Sequence, residues 1–206
     1  MAVIKKITKL TNERFINLYK VSGDNKKGHH SDYIVASRAS DVDSMKTVTH
    51  KNNADSVAVY SLYGENKDRV VLVRQYRYPI DGWVYELPAG LVDEGESFRE
   101  AAIREMHEET GLTFTPVRAD ESLEKPRYTS VGMTDEACAT VYGYASGTVS
   151  DKYMEESEEI EIVLADRDEV RRILKEERVA LIAAYQLMHF LHDSEPFAFL
   201  GAELEI

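Results

Sequence analysis

Residues 90–112, GLVDEGESFREAAIREMHEETGL, constrain this chain more than any other stretch. Ser97 followed by Glu100 has the pattern of a capping box, in which the serine caps a helix and the glutamate reaches back to its backbone. Gly111 supplies a left-handed end. At roughly 100° per residue, Glu105, Glu108 and Glu109 share one arc with Phe98, Ala101 and Ala102, while Glu100, Arg104 and His107 point elsewhere. Three carboxylates therefore border the apolar stripe of the helix.

A glutamate-rich helix is ordinarily a solvated face. That reading accounts poorly for this one, because like charges at i,i+4 cost about 0.2–0.5 kcal/mol and partial burial adds to the cost. A divalent cation resolves both difficulties. Oxygen donors with no cysteine, and no histidine on the arc, favour a hard ion such as Mg2+, with Mn2+ as a substitute.

Gly90, five residues, Glu96, seven residues, then Arg104-Glu105-Met106-His107-Glu108-Glu109-Thr110-Gly111-Leu112 resembles the complete signature of the Nudix hydrolases; all nine specified positions are filled. The resemblance implies cleavage of a nucleoside diphosphate linked to another moiety. It implies Glu105 and Glu109 as direct metal ligands together with the main-chain carbonyl of Ala89, with Glu108 assisting and Arg104 orienting the carboxylates. Glu96 and Gly90 would shape the loop leading into the helix.

Composition narrows the partners. A net charge of −12 over 206 residues and a pI near 5.0 argue against a nucleic-acid surface, which needs a basic face, and against an acidic membrane. One cysteine allows no internal disulfide framework; Cys138, within ACATVYGYA, reads as a small buried hydrophobe. The opening MAVIKKITKL lacks the apolar run of a signal peptide, and no stretch approaches the roughly 20 apolar residues of a membrane span. A cytoplasmic protein is the expectation.

Residues 1–50 read as a β-strand appendage. Short strands at 15–21 and 32–36 flank the polar loop GDNKKGHHS. His29 and His30 there read as a solvated pair, with a metal as the less favoured alternative. Strands with so few apolar residues are marginal alone, so they should pack on the following domain or on a second copy of the chain. In the resembling enzymes that act on ADP-ribose, such a piece serves dimerisation, which implies a homodimer here.

Residues 51–206 read as the catalytic domain: a hairpin from Val57 to Val73, a further strand into Ala89-Gly90, the box helix, strands at 114–117, 137–145 and 160–164, and helices at 169–175 and 179–191. Leu181, Ile182, Ala184, Tyr185, Met188 and Leu191 are expected to form the core face of the last helix. Residues 118–127 read as a charged loop. The architecture is α/β, an α/β/α sandwich on a mixed sheet.

Arg77, between Tyr76 and Tyr78, suits a phosphate because guanidinium binds phosphate oxygens bidentately. Glu86 lies in an apolar strand and needs a partner, either a substrate group or a core arginine. RQYRYP, YELPAG and Pro126 also resemble the ADP-ribose pyrophosphatase branch. There a matching arginine contacts substrate phosphate. Ser130-Val131-Gly132-Met133-Thr134-Asp135-Glu136 is similar to that branch's loop around the second half of the substrate, with Val131 in place of a proline and Met133 in place of a smaller residue. Met133 is thus a candidate substrate contact. In the glutamate-dense stretch 155–159 the branch supplies its general base and a further ligand, roles that fall by position on Glu156 and Glu158; four solvated glutamates are the plainer alternative. Tyr19, Tyr33 and Trp83 are candidates to stack a base.

The function expected is Mg2+-dependent hydrolysis of a nucleoside diphosphate sugar, foremost ADP-ribose to AMP and ribose 5-phosphate, with the cation neutralising the diphosphate and a glutamate activating the attacking water. GDP-mannose or another nucleotide sugar is the alternative substrate. A module that senses ADP-ribose without cleaving it is the alternative of another class, and the intact glutamate set argues against it.

Overall fold

The computed structural model describes residues 2–154 and 159–200. Strands β1 (Val3–Lys9), β2 (Asn17–Asp24) and β3 (His30–Ser37) and a one-turn helix α1 (Lys46–Thr49) come first. Strands β4 (Ser56–Tyr63), β5 (Arg69–Arg77), β6 (Gly82–Glu86) and β7 (Ala89–Leu91) lead into the long helix α2 (Phe98–Thr110). Then follow β8 (Thr113–Pro116), the one-turn helix α3 (Glu121–Glu124), β9 (Arg127–Tyr128), β10 (Ala137–Ser146), β11 (Ile160–Ala165), α4 (Arg167–Glu176) and α5 (Leu181–His192). The chain divides into two compact units, residues 1–55 with 126–138 and residues 56–125 with 139–206.

In the first unit β1, β2 and β3 form an antiparallel three-stranded sheet. The β2–β3 hairpin runs from Asn17↔Ser37 to Asp24↔His30, and Gly28 takes the positive φ that its turn demands. Tyr19 is fully buried, and its hydroxyl donates to the Ala39 carbonyl at 2.6 Å. That burial removes it as a base-stacking residue. Val3, Ile4, Phe15, Leu18, Tyr33 and Ile34 remain exposed.

The second unit is an α/β/α sandwich on a mixed sheet, with strand order β11-β5-β4-β10-β8 and with β6 and β7 paired to β5 and β4. Six consecutive residues of β4, from Val57 to Leu62, are buried, as are Val70 to Val73 of β5. Burial of both faces of a strand requires cover on both sides. α2 packs on β4, β7 and β8, while α4 packs on β11 and α5 on β6 and α4.

Two further expectations are corrected. In α5 the buried residues are Ala183, Leu187 and Phe190, whereas Leu181, Tyr185 and Met188 are exposed. The helix is apolar nearly all round, so its periodicity does not choose a face. Within the expected loop 118–127, Asp120 caps a single helical turn by accepting from Ser122 N at 2.8 Å. That turn buries Glu124 against Arg99, and burial raises the Glu124 pKa.

Candidate active site

Helix α2 begins as its sequence dictates. Ser97 Oγ accepts from Glu100 N at 3.3 Å, and Glu100 Oε2 accepts from Ser97 N at 2.9 Å. Gly111 closes the other end at φ 71°. The three carboxylates of the arc are graded in burial. Glu109 is 3 % exposed, the Glu105 side chain 13 % and the Glu108 side chain 46 %.

Arg104 gathers them. Its Nη1 donates to Glu105 Oε1 at 2.7 Å and to Glu108 Oε2 at 2.9 Å. Its Nη2 donates to Glu96 Oε2 at 3.0 Å and to the Leu91 carbonyl at 2.9 Å, and its Nε to Glu96 Oε1 at 3.0 Å. The Arg104 hydrogen bonds hold the Glu96 carboxyl below the usual range, and Glu96 in turn holds the guanidinium charged. Glu96 also accepts from Asp93 N at 3.1 Å, which fixes the loop entering the helix.

β7 packs against the helix. Ala89 N donates to Glu109 Oε2 at 3.2 Å, so the backbone of Ala89 borders the most buried carboxylate. Gly90 borders Glu105 so closely that a Cβ there would overlap its carboxylate.

Arg77 and Glu86 are also brought together. β5 and β6 pair in antiparallel register, Arg77 opposite Gly82 and Val73 opposite Glu86, so both side chains leave the same sheet face. Arg77 Nε and Nη2 each lie 2.7 Å from Glu86 Oε2. The partner that Glu86 requires is therefore an arginine of the neighbouring strand. On the opposite face the Arg74 guanidinium lies 4.9 Å from the Trp83 ring centroid and 5.9 Å from that of Tyr85, and pairs with Glu161 at 2.8 Å.

Met133 belongs to the first unit and is 70 % exposed. Glu156 and Glu158 lie outside the described residues. His30 sits between Asp24 and Asp32, at 3.0 and 3.5 Å. Among the described residues no three acidic, histidine or cysteine groups converge into a ready-made metal cage; Glu105 and Glu108 turn to Arg104, and Glu109 to Ala89. The donor set nonetheless suits a hard divalent cation. Glu96, Glu105, Glu108 and Glu109 set four carboxylates against one guanidinium, and every donor is oxygen.

The orienting role of Arg104 is the one that the resemblance implies, but two things escape a sequence reading: the Leu91 carbonyl in its grip and the reason position 90 is glycine. Arg104 and Gly90 carry a signal in the signature itself, whereas the Leu91 carbonyl carries none.

A helix lined with carboxylates on an α/β/α sandwich offers the oxygen donors that a hard divalent cation takes. The NUDIX domain model matches residues 52–189, and the chain belongs to the Nudix family of hydrolases. It is similar to the methanol dehydrogenase activator of Bacillus methanolicus, 33 % identical over 128 residues, 60 % of this chain and 64 % of that one. It is also similar to the ADP-ribose pyrophosphatase of Bacillus subtilis, 27 % identical over 125 residues, again 60 % and 64 %. The matched part is under two thirds of either relative. Among solved structures, an ADP compounds hydrolase superposes with a TM-score of 0.62 at 18 % identity, over 85 % of this chain and 83 % of that one, a likeness of fold. No helix among the described residues is long and apolar enough to cross a membrane.

Proposed function

We propose that the protein hydrolyses the diphosphate of a nucleoside diphosphate sugar, with ADP-ribose the leading substrate. Water adds to one phosphorus, the bond from that phosphorus to the bridging oxygen breaks, and AMP and ribose 5-phosphate leave. The observation that carries this reading is the Arg104-centred carboxylate cluster on α2. The likeness to an ADP-ribose pyrophosphatase supports the choice of substrate.

Glu105, Glu109 and the Ala89 carbonyl would hold Mg2+ or Mn2+, with Glu108 assisting and Glu158 a further ligand. Bound there, the cation supplies charge neutralisation at the diphosphate. Arg104 orients the carboxylates, Arg77 grips phosphate oxygens and is itself oriented by Glu86, and Glu156 is the general base.

A panel of ADP-ribose, ADP-glucose and GDP-mannose with Mg2+, read by phosphate release after phosphatase treatment, tests the reading. The highest kcat/KM is expected for ADP-ribose. A preference for GDP-mannose would move the substrate, and tight binding of ADP-ribose without turnover would make the protein a sensor.

Gly90→Ala tests the ligand set. The three atoms nearest the added Cβ are all at the end of the Glu105 side chain, so the fold should survive while that carboxylate is displaced. The expected result is a rise of about tenfold or more in the Mg2+ concentration for half-maximal rate, with an unchanged circular dichroism spectrum. An unchanged metal requirement would remove Glu105 from the set.

The exposed apolar residues of the β1–β3 sheet lead us to propose a homodimer through the first fifty or so residues. Sedimentation at micromolar concentration should give a dimer. A monomer, or a fully active fragment beginning near Asn53, would count against it.

A further inference from the structure

A helix ends in carbonyls that its own backbone does not use, and its last turn opens at little cost. In α2 that turn carries Glu108 and Glu109, flanked by His107 and Thr110. Like charges at i,i+4, such as Glu105 and Glu109, push it further open. Within the second unit the turn is held by the stretch that leaves β10. Tyr63 donates its hydroxyl to the Gly147 carbonyl at 2.8 Å, and Gly147 takes a φ of 101°. The chain then returns to the helix. Ser150 N donates to the Thr110 carbonyl at 2.9 Å. Ser150 also lies so close to Gly111 that a Cβ at position 111 would sit 2.7 Å from Ser150 Cβ.

Tyr153 then covers the turn. Its ring lies 4.3 Å from that of His107, centroid to centroid, at an interplanar angle of 36°. The backbone around Tyr153 is itself tied: Lys152 N donates to Ser150 Oγ at 3.2 Å, and Met154 N to the Asp151 carbonyl at 3.2 Å. Lys152 Nζ lies 5.3 Å from the Tyr153 ring centroid. The last turn is thus gripped once by its backbone, at Thr110, and once by a side chain, at His107. Neither contact touches a carboxylate. Arg104 fixes the carboxylate ends of Glu105 and Glu108, whereas the 150–153 stretch fixes the backbone from which Glu108 and Glu109 project.

We propose that Tyr153, stacked on His107, is a positioning residue that keeps the last turn of α2 closed and so holds Glu108 and Glu109 ready for a divalent cation. The second part rests on the functional reading above, in which those carboxylates serve the cation. The first part is independent of it. Populations link the two. A cation that binds only the closed turn loses affinity in proportion to the fraction of molecules in which the turn is open. Reciprocally, the bound cation closes the turn.

The test uses the full chain with Tyr153→Ala, Tyr153→Phe, His107→Ala and the double change to alanine. Tyr153 is 46 % exposed and His107 is exposed as well, so each variant should fold. The readouts are amide hydrogen exchange over residues 108–111, Mn2+ affinity from the paramagnetic resonance of the free ion, and the rate on ADP-ribose across a Mg2+ titration. Tyr153→Ala should speed exchange about two- to tenfold and weaken Mn2+ binding about two- to fivefold. The Mg2+ needed for half-maximal rate should rise likewise, with kcat at saturating Mg2+ within about threefold. Saturating Mn2+ should slow exchange in Tyr153→Ala back toward that of the unaltered protein, a response that a ring serving stability alone would not give. Tyr153→Phe keeps the ring and should match the unaltered protein. Once His107 is replaced, Tyr153→Ala should add little. Unchanged exchange in both Tyr153→Ala and His107→Ala, or equal effects of Tyr153→Phe and Tyr153→Ala, would overturn the clamp. Faster exchange with unchanged Mn2+ affinity would overturn its link to the cation. If the unaltered protein binds Mn2+ but cleaves no nucleotide sugar, the functional reading fails alone, and exchange and Mn2+ affinity still decide both parts. If it binds no Mn2+, the link fails while exchange still decides the clamp.

Discussion

Glu109→Gln is expected to reduce turnover by more than about 10²-fold, beyond what loss of an outer-shell partner costs a metal site, while leaving the fold intact. Glu109 is the most buried of the three carboxylates, and Ala89 N donates to its Oε2. An amide of the same shape keeps a carbonyl oxygen for that donor, so the backbone contact survives. What it loses is the negative charge that makes a carboxylate a ligand for a hard cation. Neutralising a buried carboxylate among others also relieves repulsion, so thermal stability without divalent ions should hold or rise. Turnover measured across a Mg2+ titration, with thermal unfolding in parallel, separates the two effects. Near-normal turnover in Mg2+ would remove Glu109 from the metal site.

The helix that bears this residue was legible because its information is local. The capping box, the glycine stop and the shared arc of Glu105, Glu108 and Glu109 all follow from 3.6 residues per turn. The function of Arg104 is not local in that sense. On the helix wheel it points away from the arc, and only its long side chain together with the 91–96 loop folding back makes it the hub. The Arg77–Glu86 pair depends on the register across the turn after β5, and a one-residue slip would send one of the two to the other face. Residues 126–138 join the N-terminal strands through pairs such as Ser37–Asp135 and Arg38–Glu136, about a hundred positions apart, and no local pattern encodes them. Tyr19 illustrates the reverse problem. An aromatic on a short strand suits a stacking platform and a core equally well, and burial alone decides between them.

Replacing Arg104 should be the next most damaging change, and lysine should not rescue it. The guanidinium makes five contacts, to Glu105, to Glu108, twice to Glu96 and to the Leu91 carbonyl. An ammonium is a point donor and cannot span these partners, since the two ends of the fork serve the helix and the entering loop separately. Loss of a partner that orients metal ligands costs about 10–100-fold in activity or metal affinity, and both Arg104→Met and Arg104→Lys are expected in that range. The two should differ in their response to acid. Arg104 holds the Glu96 carboxyl low, so its contribution to stability is present above the ordinary carboxylate pKa and is lost as pH falls through the lowered value. Arg104→Met returns Glu96 toward its ordinary pKa and should remove this part of the acid dependence, whereas Arg104→Lys should keep some of it. Urea unfolding at pH 7 and pH 3.5, beside a Mg2+ titration of the rate, makes the comparison. Wild-type activity in Arg104→Lys would show that only the positive charge matters and that the fork does not orient the carboxylates.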